Sequence, residues 1–240
     1  MTAGEVHLER CIRDLKETYA KVEVMVSSPI VPFRETIIDP PKIDMVNEEI
    51  VNANEDEKEK IVTLTTSNKQ CSVTLLALPL PSEAVSSIET HQDLLKAEVS
   101  GVNLTTESIA AKEAFKDQLE QILNQSPHEE LHDISDKILS FGPKSIGSNI
   151  LVKSKQCSSI GDNDKYLSSL INGFQLATLA GPLCEEPLSG CSFICLEFNV
   201  DETLESDDSY GPLSGQIVSI VKEGCRRAFQ AHPQRLQFYI

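Results

Sequence analysis

Apolar residues recur along this chain at two periods, and each period predicts a kind of element. Leu8, Cys11, Ile12, Leu15 and Tyr19 fall three and four apart, on one face of a helix. Lys21-Val22-Glu23-Val24-Met25-Val26 then alternates with period two, as a half-buried strand does. Pro29, Pro32, Pro40 and Pro41 punctuate a connection. Cys71 to Leu80 reads as an apolar strand stopped by Pro79 and Pro81. The helical period returns at Ala111, Phe115, Leu119, Ile122 and Leu123. A short helix is expected over 134–139, broken by Phe141-Gly142-Pro143, and a strand starts at Asn149. Tyr166, Leu167, Leu170, Ile171 and Phe174 mark a helix that ends at Gly181-Pro182. Cys191 to Val200 is a continuous apolar strand. Ile217, Ile220, Val221, Ala228 and Phe229 form the core face of a last helix over 216–229. Strands interleaved with helices imply an α/β or an α+β fold, and α+β, a mixed sheet backed by helices, is the expectation.

Three stretches lack either period. Residues 44–59 and 201–208 are acidic and read as solvated or disordered loop, and 86–107 is polar and weakly patterned. The helix-strand pair at the start cannot bury its apolar face alone. Residues 1–30 are therefore expected to complete a small α/β domain of which most lies outside this chain.

Composition narrows the classes. The chain has 240 residues, 40% of them hydrophobic, enough for one large or two small cores. Only 5% are aromatic and Trp is absent, so those cores are mostly aliphatic. A formal net charge of -16 excludes a surface that binds nucleic acid all over, though not a local basic face. The seven Cys are odd in number, scattered and without a CxxC, which points to a reducing compartment rather than a disulfide framework. No apolar run reaches the roughly 20 residues that span a bilayer, and no membrane partner is expected.

Two groups of residues carry candidate chemistry. His128-Glu129-Glu130-Leu131-His132 fits the HExxH pattern, which on a helix would set His128 and His132 against one zinc with Glu129 as base. The competing reading is a polar turn after Pro127, since no third ligand stands out; no resident metal is expected. Lys222, Arg226 and Arg227, with Arg235 beyond, suit phosphate contact with RNA. They equally suit a solvated helix face with cations near its C-terminus. Tyr210, between acidic residues and Gly211-Pro212, could stack on a base or anchor a protein, or fold over its own loop. Gly211 and Gly215 read as backbone turns.

Several segments resemble one family in order along the chain. Gly4-Glu5-Val6-His7-Leu8-Glu9, then Pro29-Ile30-Val31-Pro32-Phe33-Arg34-Glu35-Thr36, resembles the junction of the third and fourth domains of elongation factor 2 and elongation factor G. Phe141-Gly142-Pro143 with Asn149-Ile150-Leu151 is similar to the fourth domain, as are Gly173-Phe174-Gln175-Leu176-Ala177-Thr178 and Gly181-Pro182-Leu183-Cys184-Glu185-Glu186. Gly215-Gln216 and Pro233-Gln234-Arg235-Leu236 fit the same pattern. Stretches near 40–65 and 85–110 have no counterpart in it and read as polar insertions. The resemblance divides the chain into 1–30, the end of a third domain; 31–232, a fourth domain; and 233–240, the start of a fifth.

What is absent sharpens this. No GxxxxGK[ST] occurs, because Gly142-Pro143-Lys144-Ser145-Ile146-Gly147 is followed by Ser148, so no catalytic residue and no cofactor is expected within the chain. GTP and Mg belong to a domain outside it. Elongation factor 2 carries a modified His in the loop before the last helix; here the aligned Tyr210-Gly211-Pro212-Leu213-Ser214-Gly215-Gln216 has none. The resemblance is therefore to the elongation-factor-like branch of the family whose GTPases act in ribosome assembly. It implies a cytoplasmic, ribosome-contacting region that works on the large ribosomal subunit, its RNA and proteins. It also implies the Shwachman-Bodian-Diamond protein and the anti-association initiation factor as partners. Candidate contacts are Tyr210, Gly211, Gly215, Gln216, Lys222, Arg226 and Arg227. A translational translocase and, from another class, a zinc hydrolase at His128 and His132 are the alternatives.

Overall fold

The structure is a computed structural model and describes residues 5–20, 22–27, 32–39, 60–101, 106–154, 157, 165–201 and 212–238. The chain divides into two compact units, Met1–Pro32 and Phe33–Ile240. In the first, α1 (Glu5–Asp14) carries Glu5 in its first turn and Arg13 in its last, each favourable to the helix dipole, and runs into a π-helical turn at Leu15–Tyr19. This helix buries none of its side chains, and Val6, Leu15, Tyr19, Val22 and Met25 are exposed. The strand expected over 21–26 is corrected: residues 22–27 belong to no strand. Alternation alone does not make a strand, which exists only through a hydrogen-bonded neighbour.

The second unit is built on a five-stranded sheet. Its strands are β2 (Val62–Thr65), β3 (Cys71–Pro79), β4 (Ile138–Gly142), β5 (Asn149–Lys153) and β6 (Cys191–Val200), in the order β2-β3-β6-β5-β4. All pairings are antiparallel except β5 with β6, so the sheet is mixed, as expected. A separate ribbon pairs β1 (Phe33–Ile37) with β7 (Gln234–Phe238) antiparallel, closed by a tilted Phe33–Phe238 ring contact at 5.0 Å.

Helices cover both faces of the sheet, because the period-two alternation of its strands makes both faces apolar. Val73, Leu75 and Ala77 of β3, Leu151 of β5 and Phe193 and Cys195 of β6 share a core with α5 (Leu167–Leu179) and α6 (Leu213–Gln230). The intervening Leu76, Leu78, Ile150, Val152 and Ile194 pack on α2 (Ser82–Thr90), α3 (Gln92–Val99) and α4 (Thr106–Asn124). α5 and α6 meet at Gly173, where a Cβ would stand 2.6 Å from Val221 Cβ and 2.8 Å from the Val218 carbonyl oxygen.

The expected α1, α4, α5, α6, β3, β5 and β6 are present. The polar stretch at 86–107 is corrected: α2 and α3 run through it, and Ile88 and Leu95 are buried against the sheet. The short helix expected over 134–139 is corrected too. One 3-10 turn, Ser135–Lys137, leads directly into β4, whose pairing with β5 outweighs the local helical preference. The acidic residues 44–59 lie outside the described residues.

Candidate functional site

α6 turns Ile217, Val221, Cys225, Ala228 and Phe229 into the core and leaves the predicted basic residues outward. Arg227 Nε lies 2.7 Å from Glu223 Oε1 one turn before it, an exposed pair that commits its charge within the helix. Lys222 and Arg226, four apart, are half-buried and have no ion-pair partner among the described residues. Their long stems line one stripe of the helix and leave two cationic heads available to a polyanion.

The helix begins after Pro212, without a side-chain cap. Gly215 therefore sits inside its first turn. A Cβ there would meet only Pro212 Cγ at 4.0 Å, which corrects its reading as a backbone turn. Gln216 follows, half-buried, on the same turn. Tyr210 and Gly211 lie outside the described residues. The structure thus brings Gly215, Gln216, Lys222, Arg226 and Arg227 onto one helix.

The HExxH residues do not form the helix that the zinc reading requires. Only Glu129–Leu131 makes a single 3-10 turn, and both histidines flank it with extended backbones. His128 Nε2 lies 3.1 Å from Asp39 Oδ1, a close approach without hydrogen-bond alignment. The His132 Nε2 lies 2.9 Å from the Ser126 carbonyl oxygen. Leu131 between them is a core residue. Among the described residues no three His, Cys, Asp or Glu side chains are grouped to hold a metal. Gly142–Gly147, the nearest approach to a phosphate loop, joins two strands rather than a strand and a helix.

The sequence reading missed what its own matching segments do. Glu35, wholly buried, accepts backbone hydrogen bonds from Leu183 (2.9 Å), Cys184 (2.8 Å) and Glu186 (3.1 Å). Asn149 donates to the Gly142 and Leu188 carbonyls (2.9 and 2.7 Å) and accepts from the Cys191 N–H (3.0 Å). Gln175 donates to the Phe141 carbonyl (2.6 Å) and Ser140 Oγ and accepts from the Ser145 N–H. Segments far apart in sequence are thus joined by three polar side chains, Glu35 and Asn149 buried and Gln175 half-buried. The only signal was that each of these polar residues lies inside a matching motif; Glu35, between Arg34 and Thr36, has nothing in its neighbours to mark it as buried.

All seven cysteines are free, and only Cys11 and Cys184 are exposed. Burial pushes the Cys191 thiol up to about 12. A hydrogen bond with the Cys157 thiol and burial both raise Cys195, and burial raises Cys225. These thiols are inert packing groups rather than nucleophiles. No helix among the described residues is long and apolar enough to cross a membrane.

Residues 76–154, which hold α2, α3, α4 and β4, match the family described as Elongation factor-like GTPase 1-like domain. Over 98% of its length the chain is 36% identical to Elongation factor-like GTPase 1 of Homo sapiens, of which it spans 29%. It is 30% identical over 98% of its length to Ribosome assembly protein 1 of Schizosaccharomyces pombe, of which it spans 26%. Against Ribosome assembly protein 1 of Saccharomyces cerevisiae it is 28% identical over its whole length and spans 23% of that protein. The chain covers less than a third of each of these relatives, yet almost all of it aligns with them. Together these likenesses support the family of elongation factor G and the elongation-factor-like GTPases.

Proposed function

We propose that this chain is the ribosome-contacting region of a translation-factor-like GTPase that acts in cytoplasmic maturation of the large ribosomal subunit. One observation carries the reading. The stretch without a counterpart in the translocases, near 85–110, falls inside the 76–154 match to the elongation-factor-like domain. The names of the fungal relatives support assembly rather than decoding, and 201–216 contains no His.

On this reading residues 31–232, with their sheet and helices, are a translation-factor fourth domain. Residues 1–30 complete a third domain and 233–240 open a fifth. GTP and Mg bind in a domain outside this chain. Hydrolysis there is coupled through this region to release of the anti-association factor, with the Shwachman-Bodian-Diamond protein as a partner. Tyr210, Gly211, Gly215 and Gln216 form the tip. Lys222, Arg226 and Arg227 lie against ribosomal RNA phosphates.

Cosedimentation of the protein with large subunits across a salt series tests this. Binding is expected to weaken steeply with salt. The double variant Lys222→Glu, Arg226→Glu should lower the slope of log affinity against log salt by about 2, roughly one per lost phosphate contact. Binding that ignores both salt and the double variant overturns the assignment of this face.

A further inference from the structure

Glu35 makes an unusual set of contacts for a carboxylate. It is wholly buried, yet no Lys, Arg or His stands against it in any described ion pair. Its charge is met by three backbone N–H groups, one on Oε2 and two on Oε1, all from the turn at 183–186. The same residue's N–H donates to the Pro187 carbonyl at 3.0 Å, and its carbonyl accepts from the Ser189 N–H at 2.9 Å. Five hydrogen bonds thus join one residue of β1 to one loop. Gly181 closes against it: a Cβ there would stand 2.1 Å from Glu35 Oε2. The Gly181 N–H in turn donates to the Glu186 carbonyl at 2.8 Å, closing the loop on itself.

The placement gives these bonds a consequence. β7 is the one strand that β1 pairs with, beyond a single parallel bridge from Glu35 to Leu188, and a two-stranded ribbon is marginal in water without further packing. The loop at 181–189 connects α5 to β6 in the sheet. Glu35 therefore ties the ribbon to that loop, beside Thr36 and Ile37, which reach Cys191 of β6 and the core of the sheet. We propose that Glu35 is a positioning residue, a buried latch through which the β1–β7 ribbon and the 181–189 loop open and close as one cooperative unit, fixing the direction in which the ribbon leaves the sheet. A buried anion held by oriented N–H dipoles suits this role. Those bonds are charge-assisted and directional, and all three donors are stranded together when the acceptor leaves. The inference is independent of what the protein binds.

Native-state amide hydrogen exchange on the intact protein tests it. In the wild type, the amides of Leu183, Cys184 and Glu186 and the ribbon amides of β1 and β7 should share one opening step, with the same denaturant dependence. In Glu35→Gln an amide NH2 faces one of the N–H donors. Exchange of both sets should then speed up about tenfold to a hundredfold, the range expected for lost hydrogen bonds to a charged group, while β3 and β6 amides keep their protection. Acceleration of the loop alone, with the ribbon unchanged, overturns the proposal. If Glu35→Gln does not fold, the wild-type measurement decides by itself, since two different opening steps overturn it equally.

Discussion

His232 is buried between the end of α6 and the start of β7, and neither ring nitrogen reaches hydrogen-bond geometry. Burial holds its pKa below the ordinary 6.5, Lys60 adds to the shift, and the nearby Ala77 carbonyl and Asp39 oppose it only weakly. The unfolded chain then binds a proton before the folded one does. Stability is expected to fall as pH drops below about 6.5 and to level off once the folded state is protonated too. Urea unfolding of the wild type and His232→Leu across pH 5 to 8, on the order of the His range, checks this; the wild type should lose stability relative to the variant on acidification, and their difference should become independent of pH at the alkaline end. The cysteines give a second prediction at this scale. Cys11 and Cys184 should react with a chromogenic disulfide reagent at once, and the other five of the seven only on unfolding. The sequence made buried thiols readable, since Cys191 and Cys195 stand in an apolar strand. It did not make Glu35 or Asn149 readable as core residues, because hydropathy ranks both as surface groups and only their backbone partners stabilise them inside.

Between elements, the tightest constraint is the contact of α5 with α6 at Gly173. Gly173→Ala would press a methyl group against Val221 Cβ and the Val218 carbonyl, and the helices must separate to admit it. A loss of about 1–3 kcal/mol is expected, measured by denaturant unfolding. A matched change at Gly215, where a Cβ meets open space, should cost far less. α6 itself was legible from its period, because one face is buried along its whole length and the other is solvated. The HExxH residues show the opposite case. The motif fixes spacing, but His128 and His132 take extended backbones around Leu131, whose burial decides the local path. β4 was hidden for a similar reason: its residues gain a sheet position only through β5 and the amide of Gln175.

For the whole molecule, the second helical layer matters most. If residues 86–107 were a dispensable polar insertion, removing them would leave a folded sheet. Here they carry Ser87, Ile88 and Leu95 onto the face formed by Leu76, Leu78 and Ile194. Deleting 86–107 is expected to bare that face, giving strong binding of a hydrophobic dye and loss of soluble monomer by size-exclusion chromatography. A deletion that stays monomeric and dye-free would show the layer to be unnecessary.

By itself the sequence determined the apolar periods, hence α1, α4, α5, α6, β3, β5 and β6, and the ordered motifs that mark the family. Those are local properties, set by spacing along one segment. Only the tertiary structure decided that 86–107 is a covering layer, that Phe33–Ile37 and Gln234–Phe238 are one ribbon, and that the family motifs meet around Glu35, Asn149 and Gln175. Each of these depends on partners more than a hundred residues apart or on backbone groups that carry no sequence identity, so no window of the chain could contain them.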